Sequence, residues 1–187
     1  MPRSFNRRTF LFAAVALCTP VIFAPLPAHA ALPADIAARV ESYKKKLVEW
    51  AAHPTIIAAV KESNAKGGLI PGMTNGKWDG LAENDPVVTG ILATPASRLV
   101  KQWEADKGIN KLFVRDEKGN MVAGSEKSLI YNAAARPPFR EAMKGATWAA
   151  NEIRPDPTTQ IRSVHVSAPV LDGGKVIGVL HTAVTAE

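Results

Sequence analysis

The sequence predicts an α+β domain, with helices first and an antiparallel sheet after them. Three observations carry this prediction. Ile36, Val40, Tyr43, Leu47 and Trp50 recur four or three apart, with Lys44, Lys45, Lys46 and Glu49 between them, which is the pattern of a helix with one buried seam. From Lys111 onward the apolar period shortens to two, the mark of strands. Near the end, two β-branched runs, 163–170 and 175–184, flank Asp172-Gly173-Gly174. Glycine there accepts the positive φ that a tight hairpin turn demands.

Residues 1–30 have the form of an export signal. Arg7-Arg8-Thr9-Phe10-Leu11 precedes an apolar run to about Phe23, and Ala28-His29-Ala30 is the small-x-small pattern that a signal peptidase cuts after. The run is broken by Pro20, Pro25 and Pro27, whereas a membrane-crossing helix needs about 20 apolar residues. Cleavage and release to the periplasm are therefore expected, with no stable membrane insertion afterwards. The paired arginines resemble a twin-arginine signal, although ordinary export signals carry arginines too. Leu17 stands where a small residue precedes a lipidated cysteine, so Cys18 does not fit a lipoprotein signal.

Cleavage changes the balance of charge. Of 23 Lys and Arg, the leader takes Arg3, Arg7 and Arg8, leaving 20 against 17 acids, net +3. No basic stripe for nucleic acid remains. The only cysteine leaves with the leader, which excludes a disulfide, a thiol nucleophile, a Cys-based metal site and a Cys-x-x-Cys-His haem attachment. Residues 31–187 are expected to form a single domain.

Within it, His53-Pro54 interrupts the first helix, and proline suits the opening turn of a second segment at 55–65. Residues 67–84 read as loop, with Pro71-Gly72, Asn75-Gly76 and Asp79-Gly80 as turn signals. Asp85 caps a short helix from Pro86. Another helix runs over 95–107 with Leu99, Val100 and Trp103 inward, and Gly108 stops it. Strands at 111–115 and 121–123 form a hairpin around 116–120. After a loop at 124–135, Pro137 opens a short helix through Phe139, Ala142 and Met143. A third strand is expected at 148–153 and a turn at 155–158. The closing hairpin then completes five strands, with the long kinked helix packed along the sheet.

Several stretches then stand in a telling order. They are Leu112-Phe-Val-Arg-Asp-Glu-Lys-Gly-Asn120-Met-Val, Phe139-Arg-Glu-Ala-Met-Lys-Gly145, Asp156-Pro-Thr158 and Val166-Ser-Ala-Pro-Val170-Leu-Asp-Gly-Gly-Lys-Val-Ile-Gly178-Val-Leu. Together with the kinked helix, they resemble the extracytoplasmic PAS-like sensor domains of the Cache type across essentially the whole of 31–187. The resemblance implies a PAS-like antiparallel five-stranded sheet and a small ligand clasped against it by the loop and helices after the second strand. Most such domains are sensory parts of membrane receptors. This sequence has no apolar span flanking the domain, so a free-standing member is expected.

The resemblance also implies site residues. Tyr131, Arg136 and Phe139 fall where such domains hold ligand, and amino-acid-binding relatives grip a carboxylate with a similarly spaced Tyr and Arg. A guanidinium can make two parallel hydrogen bonds to a carboxylate. Pro138 and Phe139 stand where those relatives often carry polar-edged aromatics, and Ala183 where a late Asp would hold an ammonium. The ligand implied is thus a small carboxylate or similar anion. Arg136 reads equally as a surface residue ahead of Pro137-Pro138. Asp156 is either a pocket residue or a turn aspartate bonding its own backbone, with Arg154 and Arg162 flanking it.

His165 and His181 are set opposite one another if Val170 pairs with Val176. A two-residue turn at Gly173-Gly174 instead sends His181 to the other face. A facing pair could bind a metal or change charge near pH 6.5; no third ligand is visible in register, with Glu152 a possibility and His53 on the first helix, so structural histidines are the plainer reading. Ser163 and Ser167 alternate with His165, yet no Gly-x-Ser-x-Gly elbow or acid-His-Ser order accompanies them. No catalysis and no cofactor are expected. The leading expectation is a non-catalytic binder of a small molecule. The alternatives are a pocket-less interaction module, acting on a membrane receptor or dimerising through the N-terminal helix, and a metal-dependent periplasmic protein.

Overall fold

A computed structural model describes Met1 and residues 31–187. The expected export signal, with its paired arginines and Cys18, lies outside the described residues. Helix α1 (Ala34–Ala51) buries Ile36, Val40, Tyr43, Leu47 and Ala51, the seam expected from their spacing. The chain then breaks, and His53 caps α2 (Pro54–Lys66), its Nδ1 accepting the Thr55 N–H at 3.2 Å. Proline at the first helical position needs no such partner, because it has no N–H. No helix among the described residues is long and apolar enough to cross a membrane.

The span expected to be loop holds a short helix, α3 (Asn75–Asp79). The Thr74 hydroxyl accepts the Lys77 N–H at 3.2 Å, and Trp78 is wholly buried. Burial of that indole outweighs the turn preference of Asn75-Gly76. Helix α4 (Pro86–Leu92) follows the Asp85 cap. Helix α5 (Pro95–Glu104) stops short of Lys107, because Asp106 turns the chain by taking the Gly108 N–H at 3.0 Å and the Tyr43 hydroxyl at 2.6 Å.

The sheet begins with β1 (Ile109–Asp116) and β2 (Met121–Gly124), and α6 (Pro137–Ala142) follows. The strand expected at 148–153 is two short ones, β3 (Trp148–Ala149) and β4 (Arg154–Pro155). Both pair with β5 (Arg162–Asp172). Between them the chain leaves the ladder after the Ala150 N–H bonds the His165 carbonyl at 2.8 Å, and Pro155, lacking an N–H, keeps its own pairing brief. With β6 (Lys175–Thr185) the antiparallel order is β2-β1-β6-β5-β3, the expected five strands, and β4 is a sixth beside β5.

Alternation divides the sheet into two faces. Leu112, Val114, Val164, Val166, Ala168, Leu180 and Val184 pack in one cluster with α1 and α2. Lys111, Phe113, Arg115, His165, Val179, His181 and Ala183 lie on the other face. The closing hairpin turns through Gly173 at φ +57° and Gly174 at φ +84°, the positive pair a two-residue turn requires. Asp172 pairs with Lys175 and Leu171 with Val176, but Val170 then pairs with Gly178. Ile177 is thus an extra residue, a β-bulge. Without it His181 would pair with Val166 and point to the helical face. With it His181 pairs with Ser167 and His165 with Ala183, so the two histidines share a face, diagonal rather than opposite.

Candidate functional site

A cavity of about 310 Å³ lies between the second face of the sheet, segment 128–139 and segment 148–157. Strands β1, β5 and β6 supply its floor. Proline at the start of α6 and the tight turn at Asp156 bring the two segments up as walls.

Arg115 is the main floor cation. It is 1% exposed, and its Nε donates to His181 Nε2 at 3.2 Å. Its Nη1 donates to the carbonyls of Ile130 at 3.1 Å and Tyr131 at 2.7 Å, and its Nη2 to Ser128 Oγ at 2.8 Å. Guanidinium has five N–H donors, so one Nη2 hydrogen is left over. No carboxylate pairs with it among the described residues. Burial pushes its pKa down to about 10 against the upward pull of Asp116 and Tyr131, which leaves it a cation at neutral pH.

Lys111, four residues earlier on the same face, is neutralised. Its Nζ lies 2.9 Å from Glu126 Oε1 and 3.0 Å from Asp156 Oδ1, with the Thr158 hydroxyl alongside. Burial opposes its charge, but the two acids outweigh it and raise the pKa. Asp156 Oδ1 also takes the N–H groups of Thr158 at 2.9 Å and Thr159 at 3.0 Å and the Thr158 hydroxyl at 2.7 Å. Desolvation pulls its carboxyl up, but the Thr159 and Thr158 donors and Lys111 hold it well below the usual range. Asp156 is therefore both the turn aspartate and a partner of Lys111.

His181 is half-buried, with its ring centroid 5.5 Å from that of Phe113. Burial, then Arg115, then His165 hold its pKa well below 6.5. The ring is neutral, and because Nε2 accepts from Arg115, Nδ1 carries the proton. No described group bonds that Nδ1. His165 is exposed to the cavity. Desolvation lowers its pKa, helped by Arg154, Arg136 and Lys111 and opposed by Asp156. Ser167 sits across the ladder from His181, its Oγ buried without a partner.

Of the residues singled out from sequence, Arg136, Phe139, Asp156, His165 and His181 line this one cavity. Arg136 stands exposed at the rim, with no ion pair or side-chain hydrogen bond among the described residues. Phe139 packs with Val179 and Ala133. Tyr131 lies elsewhere: its ring is 5.5 Å from that of Trp78, and its hydroxyl accepts the Ile70 N–H at 3.3 Å. Only its carbonyl reaches toward the site, through Arg115. Arg154 lines the rim but is paired with Glu152 at 2.7 Å. Among the described residues no group of three or more His, Cys, Asp or Glu could hold a metal ion. Sequence reasoning missed Lys111 and Arg115. Their signal was present, since charges at alternate positions of an otherwise apolar strand share a face with Phe113.

The helix-backed antiparallel sheet, with its open face roofed by the segment after the second strand, is a PAS-like fold. The sensor domain of the V. cholerae histidine kinase DctB superposes with a TM-score of 0.55 at 17% identity, over 80% of this chain and 50% of that one. Lower scores come from the ligand-binding domain of the Campylobacter jejuni chemoreceptor Tlp3 in complex with L-valine (0.43, 13% identity, 82% of this chain and 64% of that one). The Pseudomonas aeruginosa PAO1 amino acid chemoreceptor PctC ligand-binding domain, in complex with GABA, scores 0.41 at 14% identity, over 79% and 62% of the chains. The chain spans half the length of the DctB structure and under two thirds of the other two. No protein-family model matches the sequence, and no curated protein matches it.

Proposed function

We propose that this is an exported, non-catalytic sensor-like domain that binds a small carboxylate or similar anion between its sheet and the 124–140 segment. The observation that carries the reading is the buried Arg115 guanidinium, a cation without an acidic partner on the floor of a cavity. A buried unpaired charge is costly, and an anionic ligand would offset that cost. Arg136 at the rim and the His181 Nδ1–H add donors suited to a carboxylate. In this reading the signal passes on by contact with a partner such as a membrane receptor. The cavity weighs against the pocket-less alternative.

A thermal-shift panel of carboxylates, amino acids and amines tests the proposal. At least one anion should raise the melting temperature by mass action, and Arg136→Ala should weaken that response. A flat response across the panel would overturn the reading. An unchanged response in the variant would remove Arg136 from it.

A further inference from the structure

We infer that the ligand is an amphipathic monoanion, entering with a single carboxylate toward Arg115 and an apolar body behind it, and that a zwitterion is excluded. This rests on the anion-binding reading and narrows it by charge accounting. Each acid at the cavity is already committed. Asp156 and Glu126 share Lys111, and Glu152 pairs with Arg154. The ammonium of an α-amino acid stands beside its carboxylate. It would therefore lie near Arg115 and away from the net negative Lys111 cluster four residues along β1, at a desolvation cost that nothing there offsets. The count of charge also limits the anion. Lys111 with its two acids carries one net negative charge, the Arg154–Glu152 pair none, and Arg115 with Arg136 two positive. The balance is a single positive charge, which one carboxylate matches and two exceed.

Two donors without a partner stand side by side on the sheet floor. Arg115 has its spare Nη2 hydrogen and His181 its Nδ1–H. Apolar wall comes from Phe113, Ile130, Pro137, Phe139 and Trp148, while Lys111, Asp156, Arg154 and Glu152, which also line the cavity, are paired with one another. A hydroxyl or amine set against that apolar wall would go unpaired, which costs affinity. A cavity of about 310 Å³ falls at the small end of ligand sites, roughly 300–1,000 Å³, so a compact acid is the fit.

Isothermal titration of the exported protein with four matched probes separates the cases. These are 3-phenylpropionate, phenylalanine with an added ammonium, phenylsuccinate with a second carboxylate, and the neutral 3-phenylpropionamide. The monocarboxylate should bind at least about tenfold more tightly than each of the others, the scale of one charge-assisted hydrogen bond. Arg115→Gln should remove that preference. Because Arg115 also holds segment 128–131, a second measurement uses the unaltered protein. The ¹³C-carboxyl resonance of bound phenylpropionate should stay that of the ionised acid well below the free acid's titration. Equal or tighter binding of phenylalanine or phenylsuccinate, or a free-solution ¹³C titration, would overturn this inference while leaving the anion reading intact. Silence from the wider panel of carboxylates, amino acids and amines would instead fell the anion reading itself.

Discussion

Protonating His181 would place a second cation against the buried Arg115 guanidinium, from which its Nε2 accepts at 3.2 Å. His165 faces it from β5, and the Lys111–Asp156–Glu126 cluster lies farther along the same face. Burial and Arg115 hold the folded pKa well below 6.5, whereas the unfolded chain titrates near 6.5. Below about 6.5 the unfolded state therefore binds more protons. The stability contributed by neutral His181 is fully present above that pH and is lost as pH falls through the folded value. The lowered pKa of His165 acts with the same sign. Urea melts of the unliganded protein should show falling stability from pH 7.5 to pH 5, and His181→Gln should flatten that fall. An identical pH slope in the variant would mean that other groups set it. Bound anion reverses the preference, because it favours imidazolium, so affinity for the anion should rise over the same acid range.

At the scale of elements, the bulge at Ile177 decides which side chains the cavity receives. It lets the apolar Leu180 and Val184 keep to the helical face while His181 and Ala183 line the cavity, so two short hairpin features set the chemistry of the site. Gly178, next to the bulge, has almost no room: a Cβ there would lie 2.3 Å from the Arg115 carbonyl oxygen and 2.8 Å from Val60 Cγ1. Gly178→Ala should destabilise the fold by about 1–3 kcal/mol, the usual cost of overpacking, read as a lower urea midpoint at unchanged slope. The strands and long helices were legible because their apolar residues follow periods of two and of three to four. Helix α3 was not, since a five-residue helix with Asn75-Gly76 at its start carries turn chemistry, and only the burial of Trp78 shows it. The diagonal placement of His165 and His181 was equally hidden, because a bulge adds one residue without any composition signal. Arg115 was visible as a strand residue, but its burial without an acid depends on segment 128–131 folding over it.

The whole molecule is a sheet with one dry face and one that receives the cavity. Helix α1 spends its apolar seam on the dry face, where Ile36, Val40 and Leu47 pack against β5 and β6. That seam is consumed within the fold, so a second copy would have to dock on the outer side of α1, where Val48 is exposed. The cavity roof is held differently. Segment 128–131 is gripped from the sheet by Arg115 and from behind by Trp78, whose Nε1 donates to the Ser128 carbonyl at 2.6 Å. Few of the roof's own backbone groups join a ladder, apart from the bridge of Asn120 with Asn132 and the Met121 N–H to the Tyr131 carbonyl. Local opening should therefore be easiest there and hardest in β1, β5 and β6. An anion on Arg115 would stiffen the roof from below. In hydrogen exchange, saturating ligand should slow segments 125–142 and 150–160 and, through Trp78, α3, while leaving the most protected core amides on the helical face governed by global unfolding. Those core amides should gain only the mass-action increment, about 2.7 kcal/mol at a ligand concentration one hundred times Kd. Protection confined to α1 or to the outer surface, with the roof unchanged, would place the ligand outside the cavity and remove Arg115 from binding it.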